Sequence, residues 1–317
     1  MRFRTMISVT LLALAGGAAA ADDFPSRPVR VINPFPAGGP SDAVARLIAQ
    51  QMSTQSGHTY LVENRAGANG VIGAEVVAKA PKDGYTVVLT GSAFVITDIV
   101  ASNTPYSVLK DFAPVALVAK APLVVMVNPQ LGVKDIAGLA AYSRAHPGKL
   151  DFGVGSVGAA GHFVTELLKR SGIGINVIPY KGSTPAYQDM IGGQISGLAD
   201  PILGALPFLK SGRVVPLGVT SRERLPLMPN TPTVGETLKG FEFYSWYGVW
   251  APAGTPKPII TYINGEVNKA LRSDLREKMT ALGYILSPGT PEDLARFERT
   301  EIITASKIIT EAKIHFE

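Results

Sequence analysis

The sequence contains no cysteine. Disulfides, thiolate nucleophiles and cysteine-ligated metal centres are therefore excluded at the outset. Histidine is scarce, with only His58, His146, His162 and His315. No two of these stand in the H-x-x-x-H spacing that places a metal-binding pair on one helix face, so a zinc or iron site has no support and no cofactor is implied. Charged residues make up 17% of the chain, where about a quarter is usual. They form no block, and the basic ones are scattered rather than gathered into the stripe that nucleic acid requires. Beyond residue 21 no apolar run reaches the ~20 residues that would span a bilayer.

What is present is backbone freedom and apolar mass. Hydrophobic residues reach 46%, with 33 glycines and 24 prolines among 317 residues. At about 150 residues per domain this length predicts two domains, each able to bury a core. Residues 1–21, MRFRTMISVTLLALAGGAAAA, place Arg2 and Arg4 before a short apolar core and an A-x-A run. That order is the signature of a cleaved secretory signal peptide. Its removal takes two positive charges with it, so the formal +5 is no argument for an acidic partner. An exported chain without disulfides is expected in a bacterial periplasm.

Strand-like and helical runs alternate. VRVINPF (residues 29–35) precedes a helical stretch over 42–56 and then TYLVEN, which is βαβ order and predicts parallel pairing. Further strands are expected at residues 85–89 and 122–128, the latter (PLVVMVN) apolar on both faces. A second βαβ series occupies residues 151–220. In the last third, Thr255-Pro256 and Thr290-Pro291 each read as an N-cap before a proline at the first helical position, and Asp293 completes a capping-box-like pair with Thr290.

Two loops are built alike. PFPAGGPSD (residues 34–42) sets Gly38 and Gly39 between a strand end and a helix with Ser41 as the expected N-cap. GVGSVGAAGH (residues 153–162) repeats the design at the head of the second series. Small residues at such a place expose backbone N–H groups, and the helix dipole favours an anion there. A bare tight turn is the alternative for either loop alone. Gly153, Gly155 and Gly158 also spell G-x-G-x-x-G, but the acidic partner expected about 20 residues on is missing, which argues against a dinucleotide. Neither Ser41 nor Ser156 completes a G-x-S-x-G elbow. Asp200 ends an apolar strand, either facing a cleft or capping the next helix. Tyr180 and Lys181 end the preceding strand similarly. The Trp246, Tyr247, Trp250 cluster reads as core or hinge packing, with ligand stacking as the alternative.

These loops, together with ENRAGANGVIGAE (63–75), PKDGYTVVL (81–89), KDFAPV (110–115), PYKGSTPA (179–186), SWYGVWAPAGTP (245–256) and EVNKAL (266–271), resemble in order the extracytoplasmic receptors of tripartite tricarboxylate transporters, the Bug-type solute-binding proteins. The resemblance covers the chain after residue 21. It implies an α/β type II periplasmic-binding-protein fold, with two α/β domains, a ligand cleft between them and two hinge crossings. Domain 1 would combine residues 22–124 with 250–317, and domain 2 would be 125–249. It implies no catalysis. A small organic carboxylate would be gripped by Phe35, Ala37, Gly38, Gly39, Ser41 and Asp42 in the first loop and by Gly155, Ser156, Gly158 and His162 in the second. Tyr180 and Asp200 stand beside the cleft, and Gly91 and Ser92 are weaker candidates. The partners implied are the membrane subunits of such a transporter, with the receptor itself a monomer.

Two departures from the family pattern stand out. Relatives commonly carry Gly-Ser-Pro-Ser-His where this chain has Gly158-Ala159-Ala160-Gly161-His162, and a frequent phenylalanine before the cleft aspartate is Ala199 here. The expectation is a roomier, less polar distal subsite that suits a bulky or aromatic carboxylate. The competing readings are a ligand sensor that hands its complex to a regulatory partner, and a secreted hydrolase using Asp200, His162 or Ser156.

Overall fold

The computed structural model describes residues 24–100 and 104–312; the expected signal peptide lies outside them. In chain order the first elements are β1 (Val29–Asn33), α1 (Pro40–Ser56), β2 (Tyr60–Asn64), α2 (Val71–Ala78), β3 (Thr86–Gly91), α3 (Ala93–Val100), α4 (Val108–Asp111) and β4 (Phe112–Val127). The second series is α5 (Ile136–Ala145), β5 (Asp151–Val154), α6 (Ala160–Arg170), β6 (Asn176–Pro179), α7 (Ser183–Ile191), β7 (Gly197–Pro201), α8 (Ile202–Lys210), β8 (Val215–Val219) and α9 (Val234–Thr237). The chain then returns through β9 (Tyr244–Pro252), α10 (Lys257–Arg272), α11 (Leu275–Ala281), β10 (Ile285–Leu286) and α12 (Pro291–Ala312).

The strands form one curled sheet in the order β2-β1-β3-β9-β4-β7-β5-β6. The βαβ order is realised as parallel pairing of β1 with β2 and β3, and of β5 with β6 and β7. Between these two parallel groups, β9 and β4 run antiparallel. Over Phe112–Pro122, β4 pairs with β9; from Leu123 onward it pairs with β7 and β8. One strand thus passes from the first lobe into the second, and the connection from β8 to β9 makes the return crossing. The fold is that of a type II periplasmic-binding protein. All of Tyr244–Pro252 hydrogen-bonds to β4 in the first lobe, so the chain rejoins that lobe's sheet before residue 250.

Several sequence expectations shift for identifiable reasons. β1 stops at Asn33 because Pro34 has no N–H to offer the ladder. The strand expected at 122–128 is only the second half of β4. Its first half was hidden by Pro114, which the strand accommodates through an irregularity in register between Pro114 and Ala116. Thr255 does not cap α10: its hydroxyl donates to the Pro252 carbonyl at 2.8 Å, and Pro256 takes the N-cap position. The Thr290–Asp293 pair does close a box, with Asp293 N–H to Thr290 Oγ1 at 3.2 Å and Thr290 N–H to Asp293 Oδ2 at 2.8 Å.

Apolar side chains of β4 alternate between two cores. Leu123, Val125 and Val127 pack with Ile136, Leu139, Phe152 and Val164 in the second lobe, while Val124 and Met126 face a cluster that runs on beneath α1 and α10. A third cluster beneath α2, α3 and α12 contains Trp246 and Trp250, which settles the tryptophans as packing residues. The Trp250 indole N–H donates to Glu298 at 3.1 Å, and burial pushes that carboxyl up to about 7. The far end of α12 crosses to the second lobe, where Ala305 packs with Phe163 of α6 and Glu311 pairs with Arg170 at 2.8 Å.

Helix α6 lies so close to β7 that a Cβ on Gly161 would stand 2.2 Å from the Ala199 carbonyl oxygen. Alanine in place of glycine inside a helix would ordinarily gain about 1 kcal/mol. Here the backbone contact outweighs that gain, because overpacking costs up to about 3 kcal/mol. Gly161→Ala is therefore expected to destabilise the chain by about 2 kcal/mol in urea titration; a stabilised variant would contradict the close packing.

Candidate functional site

The first loop is organised by side chains that are wholly occupied inside it. Asn33 is buried, accepts from the Ser41 hydroxyl at 2.9 Å and donates to the Phe35 carbonyl at 3.3 Å. Gly38 adopts φ 79°, a left-handed conformation that favours glycine. Its N–H donates to Asp42 Oδ2 at 3.0 Å. Asp42 also accepts from Arg46 at 3.0 Å and Asn64 at 2.8 Å. Burial works against the Asp42 charge, but these hydrogen bonds outweigh it and hold the carboxyl below its usual range. Gly39, rather than Ser41, is the N-cap of α1.

The second loop uses the same device with different chemistry. Gly158 has φ 80° and donates its N–H to Nδ1 of His162 at 3.1 Å. Acceptance at Nδ1 leaves Nε2 to carry the proton, 3.8 Å from Glu166. Burial lowers the His162 pKa, which keeps the ring neutral and fit to accept. In both loops, then, a left-handed glycine is clasped by the side chain four residues on, within the first turn of the following helix.

Clasping leaves other donors open. The N-cap residue of α1, Gly39, and that of α7, Gly182, make no side-chain capping bond. The first-turn N–H groups of a helix have no carbonyl partner within it, and the dipole adds positive potential. A small cavity is lined by Gly39, Pro40 and Ser41 from one lobe and by Gly182, Ser183 and Thr184 from the other, with Gly155 and Ser156 alongside. It adjoins a larger, open trough lined by residues 66–70, Phe35 and Lys181. The lobes touch on either side: a Cβ on Gly182 would be 3.0 Å from Pro36, and one on Gly204 would be 2.8 Å from Pro40.

The structure thus brings Phe35, Gly39, Ser41, Gly155 and Ser156 to one cavity. Gly38, Asp42, Gly158 and His162 shape its walls through the clasps, and exposed Ala37 sits at the loop tip. Tyr180 donates to Asp189 at 2.8 Å and lies outside the lining. Gly91 is buried against Tyr247, and Ser92 lines a separate, mostly apolar cavity with Phe163, Trp246 and Glu301. Asp200 stands behind the cavity wall in β7 rather than capping α8, whose N-cap is Pro201. It accepts from Ser183 Oγ at 2.7 Å and Tyr187 OH at 3.1 Å. The helix start at Gly182–Thr184 escaped the sequence reading, although PYKGSTPA marked the segment.

Of the positions that depart from the family pattern, Ala160 and Ala199 are packed in the second lobe's core, and Gly161 lies against the Ala199 carbonyl. Among the described residues no group of three histidine or acidic side chains converges to hold a metal ion, and no helix is long and apolar enough to cross a membrane.

Residues 44–314 match the family model of the tripartite tricarboxylate transporter family receptor. The chain belongs to that family. It is 36% identical to BugT of Bordetella pertussis over 307 residues, covering 95% of this chain and 94% of BugT. Among solved receptor structures it is similar to Rpa4515 of R. palustris with adipate, at 36% identity and TM-score 0.89, covering 92% of this chain and 99% of that one. MatC from Rhodopseudomonas palustris with bound malate matches at 33% identity and TM-score 0.82, covering 90% and 100% respectively. The receptor family is one of extracytoplasmic solute-binding proteins, so binding rather than turnover is the shared activity.

Asp200 is 5% exposed, and burial pushes its carboxyl up to about 7 against the two hydrogen bonds it accepts. An acid with a raised folded pKa holds its proton more tightly when folded, so stability falls as pH rises from about 4 to about 7. Asp200→Asn should flatten the decline of the melting temperature between pH 5 and pH 8. A slope identical to that of the unsubstituted chain would show that Asp200 is ionised throughout.

Proposed function

We propose that this receptor captures a small organic carboxylate between its lobes in the periplasm and delivers it to the membrane subunits of a tripartite tricarboxylate transporter. The observation that carries the reading is the pair of helix N termini, α1 and α7, both without side-chain caps, that face one cavity. Backbone donors without a carbonyl partner and the positive ends of two helix dipoles make a site for an anion without any fixed positive charge. Similar receptors hold adipate and malate, which supports a carboxylate as that anion.

Ligand capture needs no bond-making group. The clasped loops keep the donors in place before the ligand arrives, so little ordering remains to be done on binding. Closure of the lobes removes water and strengthens each hydrogen bond to the anion. A ligand that contacts both lobes favours the closed arrangement by its differential affinity. Among the described residues we assign the lobes to 24–100 and 104–122 with 244–312, and to 123–243, where β4 changes partners. Room for a longer or bulkier acid comes from the open trough.

Gly39 tests the site directly. It has φ −80°, which any residue adopts, and its Cβ would meet nothing nearer than the Pro36 carbonyl at 3.5 Å. Gly39→Leu is expected to keep the melting temperature and to abolish carboxylate binding in calorimetric titration with adipate, malate and an aromatic acid such as benzoate. Undiminished affinity for whichever acid the unsubstituted receptor binds would remove α1 from the site.

A further inference from the structure

Asp200 stands one side chain away from the anion cavity. Its Oδ1 accepts from the Ser183 hydroxyl at 2.7 Å and its Oδ2 from the Tyr187 hydroxyl at 3.1 Å. Ser183 belongs to the first turn of α7 and lines the cavity. Tyr187 has no such outlet, being buried with its ring stacked on Phe208 at 4.0 Å between centroids. The first lobe closes over the same place: a Cβ on Gly204 would lie 2.8 Å from Pro40 and 2.9 Å from Asp200 Oδ2.

Among the described residues no lysine, arginine or histidine pairs with this carboxyl. Tyr187 faces it from α7, and Tyr247 of β9 and Tyr284 just ahead of β10 lie close enough to feel its charge. On α6, His162 is engaged by Gly158 and Glu166 by Lys169. Asp42 and Arg46 of α1 hold each other at 3.0 Å, and Lys181 is exposed at the trough. Asp151 of β5 and Lys210 of α8 stand at the far ends of their elements. A buried carboxyl without a cation favours its neutral form, and burial pushes this one up to about 7.

A hydroxyl has one hydrogen to give. While Asp200 is ionised, Ser183 gives it to Oδ1 and turns only oxygen lone pairs toward the cavity. With a proton on Oδ1, the acid donates to Ser183 Oγ, and the Ser183 hydrogen is released to the cavity. Protonation at Oδ2 offers no such gain, because the Tyr187 hydroxyl is enclosed.

We propose that Asp200 is a positioning residue whose proton directs the Ser183 hydroxyl at the bound carboxylate, so that capture of the anion takes up a proton. The inference rests on the carboxylate reading above and adds its regulation by pH. An anion at the α7 N terminus repels an ionised Asp200 and gains a donor from the neutral one, so binding raises the proton affinity of Asp200. By reciprocity the proton strengthens anion binding by the same factor. Affinity is then highest at acidic pH and falls as pH rises through about 7.

The test is titration calorimetry with adipate, malate and benzoate at about pH 6.5 and about pH 8.5, where these acids stay ionised. It is repeated midway between in HEPES and in Tris, whose heats of ionisation differ. For whichever acid binds, affinity should be about tenfold weaker at the higher pH, and the buffer dependence of the heat should report proton uptake. Asp200→Asn donates to Ser183 from its amide at every pH. It should keep the acidic-limb affinity throughout, with a heat independent of buffer. Ser183→Ala should bind more weakly at the lower pH and lose most of the pH slope. Thermal melts establish that each variant is folded, and the buffer comparison on the unsubstituted receptor stands without either. A full slope that survives in Asp200→Asn or in Ser183→Ala overturns the relay. Binding by the unsubstituted receptor with neither pH dependence nor proton uptake also overturns it and leaves the carboxylate reading intact. If none of the three acids binds the folded receptor at any pH, both readings fall.

Discussion

β4 runs for 16 residues, hydrogen-bonded to β9 along its first half and to β7 and β8 along its second. The two lobes therefore share one stretch of backbone, and the sheet of each lobe extends outward from one half of it, through β9 on one side and β7 on the other. Such a strand must be apolar on both faces, because helices cover it from two sides. Val124 and Met126 face one core while Leu123, Val125 and Val127 face the other. Each fully buried aliphatic side chain of this kind contributes roughly 1.5–3 kcal/mol. A polar replacement would weaken both lobes together. The helix ends that meet at the cavity are set by this crossing, since β1 with α1 lies on one side of it and β6 with α7 on the other.

On that frame the cavity between the lobes is lined by glycines, prolines, small hydroxyl residues and Phe35. The two clasps, Gly38 to Asp42 and Gly158 to His162, show how a flexible loop is held still without spending the donors that a ligand needs. Each uses one backbone N–H of a left-handed glycine and one side chain of the next helical turn. Asp42 is further fixed by Arg46 and Asn64, and His162 stays neutral through burial. Conserving charge neutrality in the second clasp matters, because a protonated ring would lose its acceptor at Nδ1.

The organisation of the chain was legible where physics is local. Glycine-rich stretches after apolar runs marked both loops, the βαβ order marked the parallel pairs, and Thr290 with Asp293 marked a helix start. What escaped was decided by distant partners. Nothing local to Phe112–Ala121 announces a strand interrupted by Pro114, since its pairing depends on β9, more than a hundred residues away. Asp42 and His162 sit where ligand contacts are expected, yet their hydrogen bonds are internal, because Gly38 and Gly158 present N–H groups that only the folded turn aims at them. The family resemblance placed Ala160 and Ala199 at the cleft, and they are core positions, since α6 packs closely on β7 at Gly161.

In the proposed capture mechanism, closure is the step at which these parts would act together. Pro36 lies against Gly182, and Pro40 against Gly204. Proline brings rigidity on the first lobe, and glycine brings the lack of a side chain on the second, so the lobes approach as two stiff, matched surfaces. Neither contact is polar, and neither competes with the ligand for donors. The closing contacts thus supply little selectivity. A backbone cradle likewise accepts any carboxylate that fits, because its N–H groups distinguish charge and geometry but not what lies beyond the carboxyl carbon. Selectivity must then arise farther along the trough, where side chains replace main chain in the lining. A receptor of this architecture can change its cargo by altering a few positions there while leaving the crossing strand, the clasps and the closing contacts untouched.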